Sequence, residues 1–234
     1  MGARHSRLVA TGPEDPRQYA WPVARDEVAI SDAPLSKKEA EDAAVVAARA
    51  FYSDPFFVHL SPGAVRRSKG LALYFRTACR HLGPKGRLVT ARRGGQIVGV
   101  AGWVAPGGYP YPASEQVFQT IGAVRALAPR PPALLEGLKY LSAMEKAHPN
   151  EPLWYLPLLA CDPEHQRQGI GTMLQERVLA TCDEEGIDAY LETQKEDNVV
   201  YYRRFGYEVV DVLRPVRTGP PLWTMRRAPR GAAR

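Results

Sequence analysis

The sequence predicts a single α+β domain built around one predominantly antiparallel sheet. Segments of helical period come first, strand-period segments follow, and the two types then alternate to the end of the chain. Arg93-Gly94-Gly95 is a hairpin signal between two strand-like runs. The run from Leu153 to Cys161 is almost continuously apolar, which is typical of a central strand.

The first half of the chain begins with a polar, proline-containing extension, residues 1–26, which we expect to be loosely ordered. Ser36 stands three residues before Glu39, the spacing of a capping box, and therefore predicts the start of a helix. Asp54-Pro55 is predicted to end that helix. The predicted elements of this half are a strand at 27–30, helices at about 36–52 and 63–82, and strands at 87–91 and 96–104.

The second half opens with a loop at 105–112, which is too rich in Pro and Gly for a regular element. The domain is predicted to span residues 27–227 and to be followed by a basic tail, 228–234. Its remaining predicted elements are helices at about 114–128, 132–147, 169–185 and 198–204, and strands at 153–161, 188–192, 207–213 and 221–227.

Composition indicates an ordinary globular protein of the cytoplasm. The 234 residues are 45% hydrophobic and 24% charged, which suits one domain with a substantial core. The first 26 residues lack the apolar segment of a signal peptide. Three cysteines at unrelated spacings predict reduced thiols and neither a disulfide framework nor a metal site.

The formal net charge of +6 does not indicate nucleic acid as a partner. Residues 214–234 contain six arginines and no acidic residue, so the rest of the chain carries equal numbers of basic and acidic side chains. A nucleic-acid-binding face would need basic residues clustered on the folded surface. We therefore interpret the arginines as a solvated basic tail.

An apolar strand runs into a glycine-containing turn and then a helix at residues 158–172. Gly169 and Gly171 open that helix, and the first turn of a helix combines unpaired N–H groups with a partial positive charge. Such a helix start is an anion site. The third glycine of a dinucleotide fingerprint and the lysine of a Walker A loop are both missing from the sequence here.

A second motif follows the strand that ends at Leu191-Glu192-Thr193. A short helix there places Asn198 and Tyr202 one turn apart on the same face, and Gly206 turns the chain into the next strand. Together, Gln-x-x-Gly-x-Gly at 166–171 and Asn-x-x-x-Tyr-x-x-x-Gly-Tyr at 198–207 resemble the motifs of the GNAT superfamily of N-acetyltransferases. The resemblance implies the GNAT fold: a central, mixed but mostly antiparallel sheet of six to seven strands, flanked by helices, with a splayed strand pair that binds acetyl-CoA.

The resemblance also implies where the parts of acetyl-CoA bind. The pantetheine arm would lie along a strand backbone, the pyrophosphate would be wrapped by N–H groups of residues 167–172, and Asn198 would contact the coenzyme near its pantetheine part. Arg167 would add a charge-assisted contact, or it is simply solvated. The implied coenzyme-binding residues are Leu159, Ala160, Cys161, Gln166, Arg167, Gln168, Gly169, Ile170, Gly171, Thr172, Asn198 and Tyr202. Gln168 departs from the Arg or Gly that is usual in the family.

Tyr202 matches the position of the family's general acid, which protonates the leaving thiolate. Tyr201 is not expected to share this role, because neighbouring helical residues point about 100° apart. Glu192 is our candidate for the base that neutralises the acceptor amine; a water molecule, His148, His165 or Glu145 are the alternatives. Cys161 lies on an apolar strand, which favours a core residue over a nucleophile.

A longer resemblance covers roughly residues 37–227. The runs 148–156, 162–166, 190–193 and 222–225 resemble those of the puromycin N-acetyltransferases and their actinobacterial relatives. The likeness is weak over 105–147, where the acceptor would bind. Aromatic residues are frequent there and could line an acceptor pocket or belong to the core: Trp103, Tyr109, Tyr111, Phe118, Tyr140, Trp154 and Tyr155.

The leading hypothesis is acetyl transfer from acetyl-CoA to a primary amine of a small molecule, such as an antibiotic or another natural product, within a ternary complex. Acetylation of a protein N-terminus or lysine is the first alternative. A non-catalytic module that binds acyl-CoA is the second. No metal or membrane partner is expected, and the sequence is compatible with a monomer or a homodimer.

Overall fold

A computed structural model describes residues 27–111 and 131–231. The strands are β1 (Val28–Ser31), β2 (Gly86–Arg93), β3 (Gln96–Val104), β4 (Trp154–Cys161), β5 (Ala189–Thr193), β6 (Glu208–Leu213) and β7 (Leu222–Arg227). The helices are α1 (Lys37–Ala50), α2 (Pro55–Leu60), α3 (Ala64–Lys85), α4 (Pro131–Ala147), α5 (Ile170–Glu185) and α6 (Glu196–Arg203). A 3₁₀ turn, Pro163–His165, lies between β4 and α5. Of these described helices, none is long and apolar enough to cross a membrane.

The described strands form one sheet of seven, in the order β1-β2-β3-β4-β5-β7-β6. Its neighbouring strands are antiparallel, except that β4 and β5 run parallel. The predicted α+β class and the mostly antiparallel sheet are therefore confirmed. Gly94 and Gly95, both at positive φ, make the predicted hairpin between β2 and β3.

The sequence correctly placed the start of α1 but missed a helix after it. Ser36 caps α1 through the predicted box, in which the Ser36 N–H donates to Glu39 over 2.8 Å. Asp54-Pro55 does not only end a helix: Asp54 accepts from the Phe56 N–H at 3.0 Å and starts α2, with Pro55 in its first turn. The predicted helix at 114–128 lies outside the described residues.

The sheet carries an apolar core on each face. One core joins α1, α2 and α3 to side chains such as Val100, Tyr155 and Tyr190. The other joins α5 and α6 to side chains on the opposite face of the same strands, such as Trp154 and Leu191. Successive residues of a strand therefore belong to different cores, as the period of two requires.

A buried ion pair ties the last strand to α5. The Arg227 side chain, at the end of β7, is 2% exposed and lies 2.8 Å from the Asp183 carboxylate. Its Nε also donates to the Phe205 carbonyl at 2.8 Å. Removing one partner of such a pair leaves an uncompensated charge in the interior.

We expect Arg227→Met to lower the free energy of unfolding by about 2 kcal/mol, because the Phe205 carbonyl loses its donor and the partly exposed Asp183 loses its guanidinium partner. Chemical denaturation followed by circular dichroism measures this change. Arg203→Met is the matched control, since Arg203 is exposed on α6; its effect should stay within about 0.5 kcal/mol. Equal effects of the two substitutions would contradict the structural role given to the pair.

Candidate active site

The parallel strands β4 and β5 pair over only a short stretch and then separate. Trp154 pairs with Ala189 and Tyr155 with Tyr190, whereas β4 continues as far as Cys161. The opposite edge of β4 stays paired with β3, from Cys161 opposite Gly99 to Leu158 opposite Gly102. A gap therefore opens between the carboxyl ends of β4 and β5, and we call it the strand gap.

Pro157 lies where the two strands begin to separate. It has no N–H group, so a proline in a central strand interrupts hydrogen bonding to its neighbours. The β3 strand is irregular at the same level, between Gly102 and Val104. The strand predicted at 153–161 is confirmed as β4, and the proline within it was a readable signal that its ladder with a neighbouring strand ends.

The backbone of Leu159, Ala160 and Cys161 forms the β4 side of the strand gap. Their register with β3 uses one edge of the strand, and the ladder with β5 ends at Tyr155 and Tyr190. The amide groups on the other edge face the gap, as a strand-like ligand requires. That these three residues bind pantetheine stays a prediction, and this geometry supports it.

The turn between β4 and α5 presents the start of α5 at the end of the gap. The Gln166 amide donates back to the Cys161 carbonyl at 3.2 Å, which closes the turn. Arg167 and Gly169 adopt left-handed conformations, with φ of 60° and 80°. Gly169 is the N-cap of α5 and provides no side-chain cap, so the first N–H groups of α5 are left to an incoming anion.

A guanidinium that the motifs did not reveal lies beside this turn. Arg93, the last residue of β2, donates to the Gln168 side-chain oxygen at 2.7 Å, and the Gln168 amide donates to the Glu164 carbonyl at 3.3 Å. Among the described residues, none accepts from the buried Nε and Nη2 of Arg93. Its 75-residue separation from Gln168 hid this contact from sequence reasoning.

Gly171 has a packing reason to be glycine. A Cβ there would lie 2.7 Å from the Tyr201 hydroxyl and 3.7 Å from the Cys161 sulfur. The Tyr201 hydroxyl also accepts from the buried Gln175 amide at 3.1 Å, and the Thr172 side chain hydrogen bonds to it. The missing Cβ therefore admits the Tyr201 hydroxyl, which links the start of α5 to α6.

The structure places Tyr202 and Asn198 on α6. Tyr202 belongs to the core under α5 and α6 and interacts electrostatically with Cys161, at the end of β4. Tyr202 is 7% exposed and packs with Tyr201 and Tyr207 at ring distances of 5.2 and 5.8 Å. Burial raises the pKa of its hydroxyl, so Tyr202 is a neutral O–H donor at physiological pH. The Asn198 amide donates to Thr193, at the end of β5, at 3.0 Å.

Glu192 lies on the opposite face of the sheet from Tyr202. It follows Tyr190 by two residues on β5 and therefore shares its face, the one covered by α1, α2 and α3. Burial raises the pKa of the Glu192 carboxyl to about 7, although hydrogen bonds with Tyr155 and Tyr190 oppose the shift. A carboxylate of this pKa is suited to general base catalysis near neutral pH.

Aromatic side chains surround the carboxyl group of Glu192. Tyr155 and Tyr190 are buried, with their rings 6.0 Å apart, and His148 lies 5.0 Å from each. Tyr109 stacks on His148 at 4.0 Å and meets Tyr111 at 5.4 Å. We call these five side chains the tyrosine wall: Tyr109, Tyr111, His148, Tyr155 and Tyr190. Sequence reasoning proposed three of them as acceptor residues but missed Tyr190 and gave His148 a different role.

The other aromatic candidates lie elsewhere. Trp103 and Trp154 belong to the core under α5, and the Trp154 indole donates to Glu185 at 2.8 Å. Tyr140, on α4, is fully buried and donates to the Pro220 carbonyl. Phe118 is outside the described residues. These three described aromatic residues are therefore structural.

The other candidates for the catalytic base lie in different parts of the structure. His165 lies in the 3₁₀ turn, with Nδ1 3.9 Å from Asp162, on the phosphate side of the gap. Glu145 is exposed on α4. His148 belongs to the tyrosine wall, and burial lowers its pKa. Cys161 is a poor nucleophile, because burial raises the pKa of its thiol to about 12.

A gap that offers strand-edge amides and ends at an uncapped helix N-terminus defines a class of protein. These features fit a coenzyme A thioester, in which the pantetheine amides lie between the sulfur at one end and the pyrophosphate. The fold and site are therefore those of an acyltransferase that takes its acyl group from coenzyme A.

The sequence model of the Acetyltransferase (GNAT) family matches residues 45–207, and the chain belongs to this family. It is an N-acetyltransferase, and acetyl-CoA is the acetyl donor of the family. The family match includes both the turn before α5 and Tyr202.

Solved structures of similar fold include an acetyltransferase of Corynebacterium glutamicum described as histone acetyltransferase HPA2 and related acetyltransferase, with a TM-score of 0.63 and 22% identity over 87% of this chain and 97% of that one. A Drosophila melanogaster polyamine N-acetyltransferase has a TM-score of 0.54 and 16% identity over 86% of this chain and 99% of that one. A PaiA N-acetyltransferase of Thermoplasma acidophilum, in complex with coenzyme A, has a TM-score of 0.52 and 11% identity over 86% of this chain and 98% of that one. At these identities the likeness shows the fold.

We expect Gly171→Ala to cost about 1–3 kcal/mol of folding free energy, because the new methyl group overlaps the Tyr201 hydroxyl. The cost should fall below about 1 kcal/mol in a Tyr201→Phe background, where that hydroxyl is absent. Urea unfolding of both single variants and the double variant gives the coupling energy. If the effects of the two substitutions on folding free energy are additive, residue 171 must be glycine for a reason other than the Tyr201 hydroxyl.

Proposed function

We propose that the protein transfers the acetyl group of acetyl-CoA to a primary amine of a small molecule, by direct attack within a ternary complex. What supports this proposal is that the proposed acid and base lie on different faces of the sheet: Tyr202 belongs to the core under α5 and α6, and Glu192, with a pKa of about 7, lies on the other face. The base must reach the acceptor amine and the acid must reach the leaving sulfur, so the two groups are needed at different positions.

The chemistry begins with the proton on the acceptor nitrogen. The ionised carboxylate of Glu192 takes this proton, directly or through a water molecule, and the nitrogen gains the lone pair that attacks the thioester carbonyl. The new C–N bond forms, the nitrogen releases its second proton to water, and the C–S bond breaks. Glu192 then returns its proton to solvent. The Tyr202 hydroxyl donates its proton to the departing sulfur, and Tyr202 regains a proton from solvent.

The residues around the gap account for binding. The backbone of Leu159, Ala160 and Cys161 would hold the pantetheine arm, and the N–H groups of residues 167–172 would hold the pyrophosphate. Arg93 would keep Gln168 and the turn in place while its positive charge favours the anion. Asn198 would fix the end of β5 beside the coenzyme through Thr193.

Acetylation of a protein N-terminus or lysine is the alternative reaction. A polypeptide acceptor needs an open groove that leads to the base. The tyrosine wall instead packs around Glu192 on several sides, which supports a small molecule. An antibiotic or another natural product, acetylated in the cytoplasm in resistance or in biosynthesis, is one such small molecule. The resemblance to puromycin N-acetyltransferases is weak over 105–147 and carries no acceptor specificity.

A non-catalytic acyl-CoA-binding module is the other alternative. Such a module needs the strand gap and the start of α5, but it has no use for a carboxyl of raised pKa. Keeping Glu192 beside buried tyrosines costs folding free energy, because its charged form is poorly solvated there. That cost favours the enzyme.

We expect Tyr202→Phe to lower kcat at least tenfold and to leave acetyl-CoA affinity within about threefold, because only the thiolate loses its proton donor. Thiol release measures kcat, and calorimetry measures the Kd of acetyl-CoA. Tyr201→Phe is the neighbouring control and should keep the larger share of turnover. A tenfold loss in Tyr201→Phe alone would reverse the assignment of the acid.

The rate should also depend on the ionisation of Glu192. Below a pH of about 7 the carboxyl is protonated and cannot act as a base, so kcat/KM should rise with pH and level off above that value. Glu192→Gln should lower kcat/KM at least tenfold and remove this limb of the profile. The profile is measured with an acceptor amine whose own pKa lies well away from 7. If kcat/KM still rises with pH in the same way in Glu192→Gln, another group is responsible for the rise.

A further inference from the structure

We infer that the acceptor is a primary amine carried on a flat aromatic body, which lies against the tyrosine wall while its amino group reaches Glu192. This inference rests on the proposed function and specifies the substrate class of the same site. It follows from the way that exposure, ring geometry and charge vary along the wall.

The wall has an inner part and an outer part. Tyr155 and Tyr190 are 6% and 0% exposed, and both hydrogen bond with Glu192. Tyr109, Tyr111 and His148 are only partly buried. The inner tyrosines therefore hold the base, and the outer rings keep faces and edges that an acceptor can touch.

The outer part is larger than an ammonium group requires. One cation over one or two ring faces, within about 6 Å, satisfies a cation–π contact. Here Tyr109 contacts His148, Tyr111 and Tyr155 at centroid distances of 4.0, 5.4 and 5.4 Å, so the rings form a continuous surface. Such a surface suits an aromatic partner, because offset and edge-to-face ring pairs add to the burial of apolar area.

The charges along the wall favour a single amino group. Two carboxylates act on Tyr109, those of Glu192 and Glu145. Glu192 is held among the inner tyrosines, whereas Glu145 is exposed and its attraction for a second ammonium is screened by water. An aliphatic polyamine would thus gain one strong contact and leave its other charges beside aromatic rings and solvent.

His148 completes the surface as a neutral ring. Its Nδ1 lies 2.9 Å from the Pro149 carbonyl, which accepts a hydrogen bond only if Nδ1 carries the proton. Burial lowers the pKa of the imidazole, so the ring is uncharged near neutral pH. A neutral imidazole packed against Tyr109 extends the aromatic surface and does not repel an approaching ammonium.

The test compares four amines in the thiol-release assay, with each kcat/KM referred to the concentration of neutral amine: 2-phenylethylamine, hexylamine, spermidine and a short peptide with a free N-terminus. We expect kcat/KM for 2-phenylethylamine to exceed that for each of the others by about tenfold or more. Spermidine or the peptide as the best acceptor would overturn the inference. Equal values for 2-phenylethylamine and hexylamine would do so as well.

Variants of the wall separate this inference from the proposed function. Tyr109→Ala should reduce the preference for 2-phenylethylamine over hexylamine to below about threefold, mainly through KM, while acetyl-CoA affinity is unchanged. Tyr109→Phe should recover most of the preference, because it keeps the ring. Leu135→Ala, at an exposed position of α4, is the control and should preserve the preference. A preference that survives Tyr109→Ala would overturn the placement of the aromatic body.

The two proposals fail in different ways. Acetyl-CoA binding without thiol release for any amine would overturn the proposed function and this inference with it. Thiol release with no aromatic preference would overturn the inference alone and leave the N-acetyltransferase reaction in place.

Discussion

The pairing of β4 with β5 ends after Tyr155 and Tyr190, and the arrangement of the site depends on this early end. Had the ladder continued, the amides of β4 beyond Pro157 would be satisfied by β5, and no ligand could enter the sheet. The seven-stranded sheet remains continuous because β3 holds β4 from the other side. The gap therefore lies inside a stable sheet and has two well-packed faces.

Polar contacts hold the elements at the end of the strand gap in place. Arg49, at the end of α1, reaches Asp162 at 3.3 Å and Glu164 at 2.7 Å, so the turn after β4 is tied to the helices of one face. On the other face the Gln175–Tyr201 hydrogen bond joins α5 to α6. The turn before α5 and the pair α5–α6 are thereby held in place before any ligand binds, which limits the reorganisation that binding requires.

Much of this arrangement could be predicted from the sequence, because short-range signals specify it. The capping box at Ser36, the hairpin at Gly94-Gly95 and the glycines before α5 each act over a few residues. The helix α2 was missed because a proline after Asp54 can start a helix as well as end one. The sequence Asp54-Pro55 looks the same whether one helix ends there or another begins.

The acceptor side could not be predicted in the same way, because distant parts of the chain build it. Tyr109 and Tyr111 come from the loop after β3, His148 from the end of α4, and Tyr155 and Tyr190 from two strands. An aromatic residue on a strand has the same sequence signature whether its ring faces a core or a site. Tyr155 and the adjacent Trp154 show this, since they lie on opposite faces of β4.

The raised pKa of Glu192 links proton uptake to both folding and binding. An unfolded glutamic acid ionises near pH 4.5, and the folded one near 7, so between these values the folded protein binds an extra proton and stability falls as pH rises. The loss is on the order of 2–3 kcal/mol. An ammonium beside Glu192 favours its charged form and reverses part of this loss. If the acceptor amine lies beside Glu192 as proposed, its binding near neutral pH releases a proton and recovers part of this stability.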